Sequence, residues 1–444
     1  MLPVNAADIH RPDGAINEET PVLIAKNDQD LSESGEYSAG FVSCTVNLLK
    51  AVIGAGILAI PHSVSKLGYV PGTLVLLFAT GLASFGLYLL SIIGHHHGRR
   101  STFGSVAEKT VPASAVLFDV TVAVKCFGVA TAYLSNIASQ IPMIWKDFMI
   151  RRGRLAVDDS VPEWMVRWKV IWVAAALVFL SPISALPKVD SLKYTSILGM
   201  FSVLYLLVLS IVHFILTAGR GELQPIKAFV PFDLKSLTAF SVFVFAFNCH
   251  QNIFVVQNEA KRNTPAWMMR VIGMVMGTTL AVYLMFGLFS YASFTDIKDD
   301  ILLTFPPGEI EFIVAKCLFV VLLACSYPLQ TFPCRAALER VTIAVFPALA
   351  KSNPKIVYWG NTAFILLSSG FISSLNVKFG TVLKIIGSTA GPLICFFFPA
   401  FLFLKDGEVK KRNVDVILAK GLLVFSFISI PLSLGLVVYE IIVK

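Results

Sequence analysis

Charged residues are scarce in this sequence. Asp, Glu, Lys and Arg make up only 14% of its 444 residues, whereas hydrophobic residues make up 56%. An ordinary soluble protein has about 25% charged and roughly 45–50% apolar residues. A chain with so little charge cannot cover a water-exposed surface, so the composition excludes a soluble protein and predicts a polytopic membrane protein.

The sequence also lacks the motifs of pumps, enzymes and metalloproteins. It has no Walker loop, no nucleophile motif with its partners and no CxxC pair, which disfavours an ATP-driven pump, a membrane enzyme and a metal centre. The run of His95, His96 and His97 is interpreted as a solvated loop, because a metal site needs more ligands in a defined geometry. We therefore predict a protein that is not an enzyme and that has neither a cofactor nor a metal site.

The first 38 residues have no apolar run long enough for a signal peptide. They contain eight acidic side chains and are predicted to form a disordered cytosolic tail. In this tail Glu19, Leu23 and Ile24 fit the acidic dileucine pattern that sorting adaptors read, although so short a pattern also arises by chance. The expected partners are thus a sorting adaptor and membrane lipid. The +8 net charge is attributed to loop anchoring at the membrane, not to nucleic-acid binding.

Residues 39–444 are predicted to form an all-α transmembrane domain. A helix needs about 20 apolar residues to cross a bilayer, and short basic loops favour a cytosolic N-terminus. The loop between spans three and four disagrees with this orientation, because it holds four arginines (Arg151, Arg152, Arg154 and Arg167). Eleven spans are predicted: Ala39–Ser65, Val70–Ile93, Ser114–Trp145, Trp168–Leu186, Tyr194–Leu216, Ser236–Asn258, Trp267–Phe289, Phe312–Leu338, Lys355–Ser374, Phe379–Leu404 and Val414–Ile442.

The first span contains a predicted break. Its apolar run, from Thr45 to Pro61, is interrupted by Gly54-Ala55-Gly56, and glycine and proline cost roughly 1 and 3 kcal/mol in a helix. Broken backbone at membrane depth is tolerated only where it is buried in protein or lines a polar cavity. The amides freed there suit a carboxylate, so residues 53–56 (Ile53, Gly54, Ala55 and Gly56) are substrate-binding candidates. The alternative is close helix packing through small residues.

The sixth span is the second predicted break. In the run FVFAFNCHQNIFVVQNE from Phe243, polar residues stand midway along an apolar segment, where they usually face a cavity. Asn248 and Gln251 either contact substrate or cap the interruption, and His250 either relays a proton or is simply hydrogen-bonded. Phe247 is kept as a substrate candidate, although packing is its simpler interpretation. Five spans separate the breaks, which predicts inverted repeats over residues 39–217 and 236–404 with an added helix at 414–442.

Four ordered segments carry a family resemblance. TVNLLKAVIGAGILAIP, AVKCFGVATAYL, FAFNCHQNIFVVQNE and SYPLQTFPCR resemble the amino acid/auxin permease family, and AVKCFG and CHQN resemble its fungal vacuolar exporter branch. The resemblance implies a LeuT-like fold of five plus five inverted helices and an eleventh, with helices 1 and 6 interrupted. It also implies alternating-access transport of amino acids, with the hydroxyl of Tyr133 near the substrate carboxylate.

The resemblance also bears on energy coupling. Sodium-coupled members carry an asparagine one turn before the glycine break, where this chain has Lys50. Lys50 is expected to stand in for sodium, with Ser326 in contact, although a lysine can also snorkel to an interface. The expected coupling residues are Lys50, His250 and Ser326. Lys125 is left open between a structural and a coupling role, loosely paired with Asp119.

These observations predict a secondary active amino-acid transporter. The expected activity is proton-coupled export from an acidic organelle, the vacuole or lysosome, to the cytosol. The alternatives are a sodium-coupled importer of the plasma membrane and a transporter-like amino-acid sensor.

Overall fold

The computed structural model describes residues 39–99, 101–185, 193–231, 233–375, 377–407, 409 and 412–442. Over these ranges the chain is almost entirely helical. The predicted sorting residues Glu19, Leu23 and Ile24 lie outside the described residues. In chain order the helices are α1 (Phe41–Val52), α2 (Ile60–Leu67), α3 (Tyr69–His96), α4 (Phe103–Thr110), α5 (Ala115–Arg151), α6 (Glu163–Arg167), α7 (Lys169–Ser184), α8 (Lys193–Gly219), α9 (Thr238–Ala246), α10 (Ile253–Glu259), α11 (Pro265–Ser293), α12 (Ile310–Val345), α13 (Pro347–Ser352), α14 (Pro354–Ser374), α15 (Phe379–Ser388), α16 (Ala390–Lys405) and α17 (Asn413–Ile442).

Within the described residues, eight helices are long and apolar enough to cross a bilayer, or up to ten if each of two bent pairs is one span. The bent pairs are α1 with α2 and α15 with α16. The helix at the fourth predicted position, α7, has 16 residues and is therefore about 24 Å long, short of the roughly 30 Å of a bilayer core. The count of eleven spans stays a prediction.

The predicted interruption of the first span is confirmed. Ile53 (ψ 98°) and Gly54 (φ −138°, ψ −148°) both leave the helical region, and the two halves meet at an angle of 46°. A 3₁₀ turn over Ala55–Ala59 leads into α2. Pro61 lies in the first turn of α2, where its missing N–H costs nothing. The glycines therefore make the break, and the proline starts the next helix.

The sixth span is also interrupted, as predicted. α9 ends at Ala246, and α10 begins at Ile253 after a short 3₁₀ turn at His250–Asn252. Phe247, Asn248 and Cys249 form the link between the two halves. The polar residues thus lie where the regular helical ladder stops.

The tenth span differs from its prediction as one continuous helix, Phe379–Leu404. It bends by 44° between α15 and α16, with Thr389 outside the helical region (φ −118°, ψ −91°). Pro392 follows three residues later and is incompatible with the carbonyl of Ser388 in a continuous helix. A π turn at Leu393–Phe397 completes the irregular stretch.

The broken helices are enclosed by unbroken ones. α5 packs along α12, α9 packs against α15, and both α1 and α2 pack against α11. The approach of α9 to α15 depends on Gly387, since a Cβ there would collide with the carbonyl oxygen of Ser241. We call the membrane side where α1 begins the N-terminal side and the other the far side. The two breaks lie between them.

Candidate functional site

The break in the first span presents three free backbone amides. Among the described residues, the N–H groups of Gly54, Ala55 and Gly56 have no backbone acceptor. They stand at the N-terminal end of the helical segment Ala55–Leu67, where the helix dipole favours negative charge. This end of the break is therefore suited to a carboxylate.

Gly54 faces open space beside Tyr133. A Cβ on Gly54 would have a single neighbour within 4 Å, the Tyr133 hydroxyl at 4.0 Å. Tyr133 lies on α5, is 7% exposed and has no hydrogen bond to any described residue. The structure thus brings Tyr133 to the break, where an anion bound by the amides can also accept from the phenol.

Gly56 has different surroundings. A Cβ there would lie 3.0 Å from the Cα of Ala246 on α9, so Gly56 lets the two broken spans approach closely, as small residues do in membrane helices. Its neighbours Ile53 and Ala55 are buried. The two glycines therefore differ: Gly56 serves packing, whereas Gly54 borders open space, and substrate binding at this stretch stays a prediction.

The break in the sixth span gathers buried polar atoms that lack a partner. Among the described residues, no hydrogen bond reaches the Oδ1 or Nδ2 of Asn248, the Nδ1 of His250 or the Oε1 of Gln251. Buried polar groups without partners are rare in folded proteins and call for a specific explanation. Their concentration at one break is what a polar ligand site requires.

His250 has one nitrogen fixed by the fold. Its Nε2 donates to the carbonyl of Ala83 on α3 at 3.0 Å, and the side chain is wholly buried. With Nε2 protonated, Nδ1 is the acceptor nitrogen of the neutral ring. His250 is therefore both hydrogen-bonded and left with one available acceptor.

Tyr283 on α11 was missed by the sequence analysis. Its hydroxyl lies 3.2 Å from the carbonyl of Val52 and 3.1 Å from that of Ala246, so it is shared between the C-terminal ends of α1 and α9. The ring is fully buried and lies 5.3 Å from that of Phe247, in keeping with a packing role for Phe247. A tyrosine in an apolar span is itself the signal, because a buried hydroxyl needs a partner.

The predicted coupling residues are less closely connected. Lys50 lies in the last turn of α1 and Ser326 on α12, and both are half-buried. Among the described residues, no hydrogen bond joins them. The expected contact between Lys50 and Ser326 is therefore not made in this conformation.

The loose pairing expected for Lys125 is wrong. Asp119 instead accepts from Arg340, with the Arg340 Nη2 at 2.6 Å. Lys125 is buried and close enough to Cys249 and Cys395 for a Coulomb interaction. Its charge therefore lies beside the sixth-span break.

The structure also contains a cavity that lies outside the two breaks. It has a volume of about 630 Å³ and opens on the far side, and its walls include neither Gly54 nor Asn248. Its polar lining includes His62, Asn136, Lys169, Asp299 and Asp300. This cavity adjoins the breaks without containing them, which the sequence analysis did not predict.

The N-terminal side is closed by backbone contacts. Ala39 pairs with Ala260 in a parallel β-bridge, and the Arg99 guanidinium donates to the Ala260 carbonyl at 2.8 Å. The start of α1 is thus tied to the end of α10. The protein is closed on the N-terminal side and has its cavity on the far side.

Comparisons with known proteins agree with this architecture. Residues 38–443 match a family described as "Transmembrane amino acid transporter protein". The chain is 32% identical to "Vacuolar amino acid transporter 5" of Schizosaccharomyces pombe over 82% of this chain and 84% of that protein. It is 30% identical to "Vacuolar amino acid transporter 7" of Saccharomyces cerevisiae over 72% and 63%, and 26% identical to "Amino acid transporter AVT6B" of Arabidopsis thaliana over 93% of each.

Solved structures give the same fold. MhsT in complex with L-phenylalanine superimposes with a TM-score of 0.53 at 12% identity, covering 89% of this chain and 98% of that chain. A manganese transporter of Eremococcus coleocola has a TM-score of 0.53 at 9% identity, covering 94% and 88%. The predicted family and LeuT-like fold are confirmed, and the matched family and relatives are transporters.

Proposed function

Because this chain belongs to the family of transmembrane amino acid transporter proteins, we propose that it exports amino acids from an acidic, vacuole-like compartment to the cytosol by proton-coupled alternating access. The observation that carries the proposal is the pairing of two breaks with complementary free groups. The first break offers the amides of Gly54, Ala55 and Gly56 to a carboxylate. The second offers the acceptor oxygens of Asn248 and Gln251 to an ammonium.

The two breaks together fit a zwitterion. An amino acid has one carboxylate and one ammonium group, and hydrogen bonds to charged groups contribute roughly 1.5–3 kcal/mol each. Tyr133 adds a donor on the carboxylate side. The substrate candidates are thus Ile53, Gly54, Ala55, Gly56, Tyr133, Phe247, Asn248 and Gln251.

The position of Lys50 supports proton coupling over sodium coupling. Lys50 lies in the last turn of α1, where the helix dipole presents partial negative charge and a cation is stabilising. A lysine fixed there does the electrostatic work of a bound sodium ion. His250 and Ser326 complete the proposed coupling set, with the acceptor Nδ1 of His250 available to a proton.

The names of the relatives support the location. Two of the fungal relatives are named vacuolar amino acid transporters, and a vacuolar interior is acidic. One pH unit stores about 1.4 kcal/mol per proton, enough for roughly a tenfold amino-acid gradient at one proton per substrate. Export to the cytosol follows the proton gradient in this arrangement.

Uptake by proteoliposomes tests the proposal. Twenty radiolabelled amino acids are screened with an imposed pH gradient, in sodium and in choline, with and without a protonophore. We expect transport that survives the removal of sodium and falls when the pH gradient collapses. Strict sodium dependence with indifference to pH would refute proton coupling, and absence of counterflow for all twenty would favour a sensor.

Variants of Lys50 sharpen the test. Lys50→Ala should impair transport driven by the pH gradient more than it lowers protein yield. Lys50→Asn restores the residue of sodium-coupled relatives and should introduce a response to sodium. Lys405→Ala, at the exposed last residue of α16 on the N-terminal side, is the matched control for loss of one lysine.

The location has its own test. If Glu19, Leu23 and Ile24 form a sorting signal, the double change of Leu23 and Ile24 to alanine should move a tagged protein toward the cell surface. Unchanged distribution would show that the signal lies elsewhere, without affecting the transport proposal.

A further inference from the structure

The far-side cavity contains the buried Lys169 side chain, which forms no ion pair with a carboxylate of the described residues. Lys169, the first residue of α7, is 8% exposed and lines the cavity. Its Nζ donates to the Ser135 Oγ at 2.9 Å and forms no ion pair with any carboxylate of the described residues. A buried charge without a counter-charge is costly, so Lys169 is suited to bind an anionic group in the cavity.

The neighbouring wall offers the opposite chemistry. Asn136 and Gln140 on α5 donate from their side-chain nitrogens to the Asp300 Oδ2, at 2.6 and 2.9 Å. Their own oxygens, the Asn136 Oδ1 and the Gln140 Oε1, are buried and have no partner among the described residues. Burial raises the pKa of the Asp300 carboxyl to about 6. Orphaned acceptors beside a carboxyl group suit an ammonium.

The other charges of the cavity are already paired or face solvent. The His62 Nε2 lies 2.7 Å from the Asp299 Oδ1, and the Lys66 Nζ lies 3.0 Å from a carboxylate oxygen of Glu440. Lys378 is exposed at the rim. Among the described residues, Lys169 remains without a counter-charge and the Asn136 Oδ1 without a hydrogen-bond donor.

We propose that the far-side cavity is a second amino-acid site, in which Lys169 holds the carboxylate and the Asn136 oxygen with Asp300 holds the ammonium. The ligand follows from the proposed function, since it is the transported amino acid itself. The cavity's volume of about 630 Å³ falls within the roughly 300–1,000 Å³ of ligand pockets.

α5 connects this site to the breaks. Tyr133 faces the break at Gly54, and Asn136 faces the far-side cavity, three residues along the same helix. At about 1.5 Å per residue the two are about 4.5 Å apart along the helix axis. An amino acid bound in the cavity therefore lies directly beside the central site, on the route between that site and the far side.

Binding stoichiometry tests the second site. The probe is the radiolabelled amino acid, of twenty screened, that binds best to the purified full-length protein in detergent. Wild-type protein should bind two per chain, and Lys169→Met should bind one. Lys378→Met removes the same charge from the exposed rim and should still bind two. Gly54→Leu, which blocks the central site, should also bind one.

Competition identifies the recognised groups. At the second site, which Lys169→Met removes, the intact amino acid should compete at least tenfold better than acetate or methylammonium alone. Equal competition by acetate would overturn the zwitterion and leave a simple anion site. Should Lys169→Met fail to fold, Met143→Trp fills the cavity from its apolar wall and should likewise bind one.

The outcomes separate the two proposals. If the wild-type protein binds one amino acid per chain, and Gly54→Leu abolishes this binding while Lys169→Met leaves it intact, the second site is overturned and the central site stands. Two bound per chain in Lys169→Met and in Met143→Trp would also overturn it. Wild-type protein that binds none of the twenty would overturn both.

Discussion

Gly54→Leu is the sharpest test of the central site. A leucine there extends into the space that now has only the Tyr133 hydroxyl within 4 Å, in front of the free amides. The φ of −138° at Gly54 is negative, so the change does not place a leucine in the left-handed region. Binding should be lost without loss of folding.

The expected magnitude follows from the blocked contacts. A hydrogen bond to a charged group contributes roughly 1.5–3 kcal/mol. Losing one or two amide bonds to a carboxylate therefore costs about 3 kcal/mol, and affinity falls on the order of 100-fold. The assay is equilibrium binding together with proteoliposome counterflow, at matched protein yield.

Two further glycines control the experiment. Gly81→Leu, on an exposed face of α3 with no neighbour within 4 Å of its Cβ, should leave binding and transport unchanged. Gly56→Leu should instead reduce folded yield, because its side chain meets the Ala246 backbone. Wild-type transport by Gly54→Leu would refute the placement of the carboxylate at this break.

Three other substitutions test single features of the structure. Tyr283→Phe leaves the carbonyl ends of two broken helices without their donor and should lower stability by about 2 kcal/mol, seen in thermal unfolding against the control Tyr205→Phe. Burial raises the pKa of the Asp300 carboxyl to about 6, so its stabilising contribution of about 3 kcal/mol is present below about pH 4 and is lost as the pH rises through about 6. Asp300→Asn should remove this slope from thermal unfolding midpoints measured from pH 4 to 7, and an unchanged slope would contradict the assignment. Arg99→Ala weakens the closure of the N-terminal side and should speed maleimide labelling of buried Cys44 in a background without other cysteines. An unchanged labelling rate would mean that the closure does not depend on Arg99.

The breaks could be predicted because their causes are local. The sequence Gly54-Ala55-Gly56 carries its own helix-breaking chemistry, and the polar run around Asn248 is visible against apolar neighbours. Tyr133 was found through the family resemblance, and the structure brings it beside Gly54. Each of these signals lies within one short segment.

The far-side site could not be predicted because its parts are distant in sequence. Asn136 and Asp300 are separated by 164 residues, and nothing local distinguishes Asp300 from its neighbour Asp299. In the sequence, nothing distinguishes Lys169 from an ordinary lysine at the end of a span. The tenth-span bend was not predicted, although Pro392 lies within the apolar run Phe379–Leu404.

Hydrogen bonds to backbone carbonyls tie the start of α1 and the end of α3 to the end of α10 on the N-terminal side. The Ala39 amide donates to the Glu259 carbonyl at 3.2 Å, the Lys261 amide donates to the Ala39 carbonyl at 2.9 Å, and the Arg99 guanidinium donates to the Ala260 carbonyl at 2.8 Å. At about 1 kcal/mol each, these bonds amount to about 3 kcal/mol.

The two halves of the first span are held by unequal side-chain contacts. On the far side, the buried carboxylate of Glu440 accepts from Lys66 of α2 at 3.0 Å and from Lys384 of α15 at 2.9 Å. The Lys384–Glu440 pair is buried, and separating such a pair costs roughly 3–5 kcal/mol, whereas the Lys66 side chain that ties α2 to the same carboxylate is 24% exposed and its bond contributes less. α1 lacks an anchor of this kind among the described residues and joins α2 through the non-helical Gly54. In the proposed transport cycle, the opening that breaks fewer side-chain contacts therefore swings α1 about Gly54 while α2 stays in place, which moves one wall of the central site away from Tyr133 on the N-terminal side.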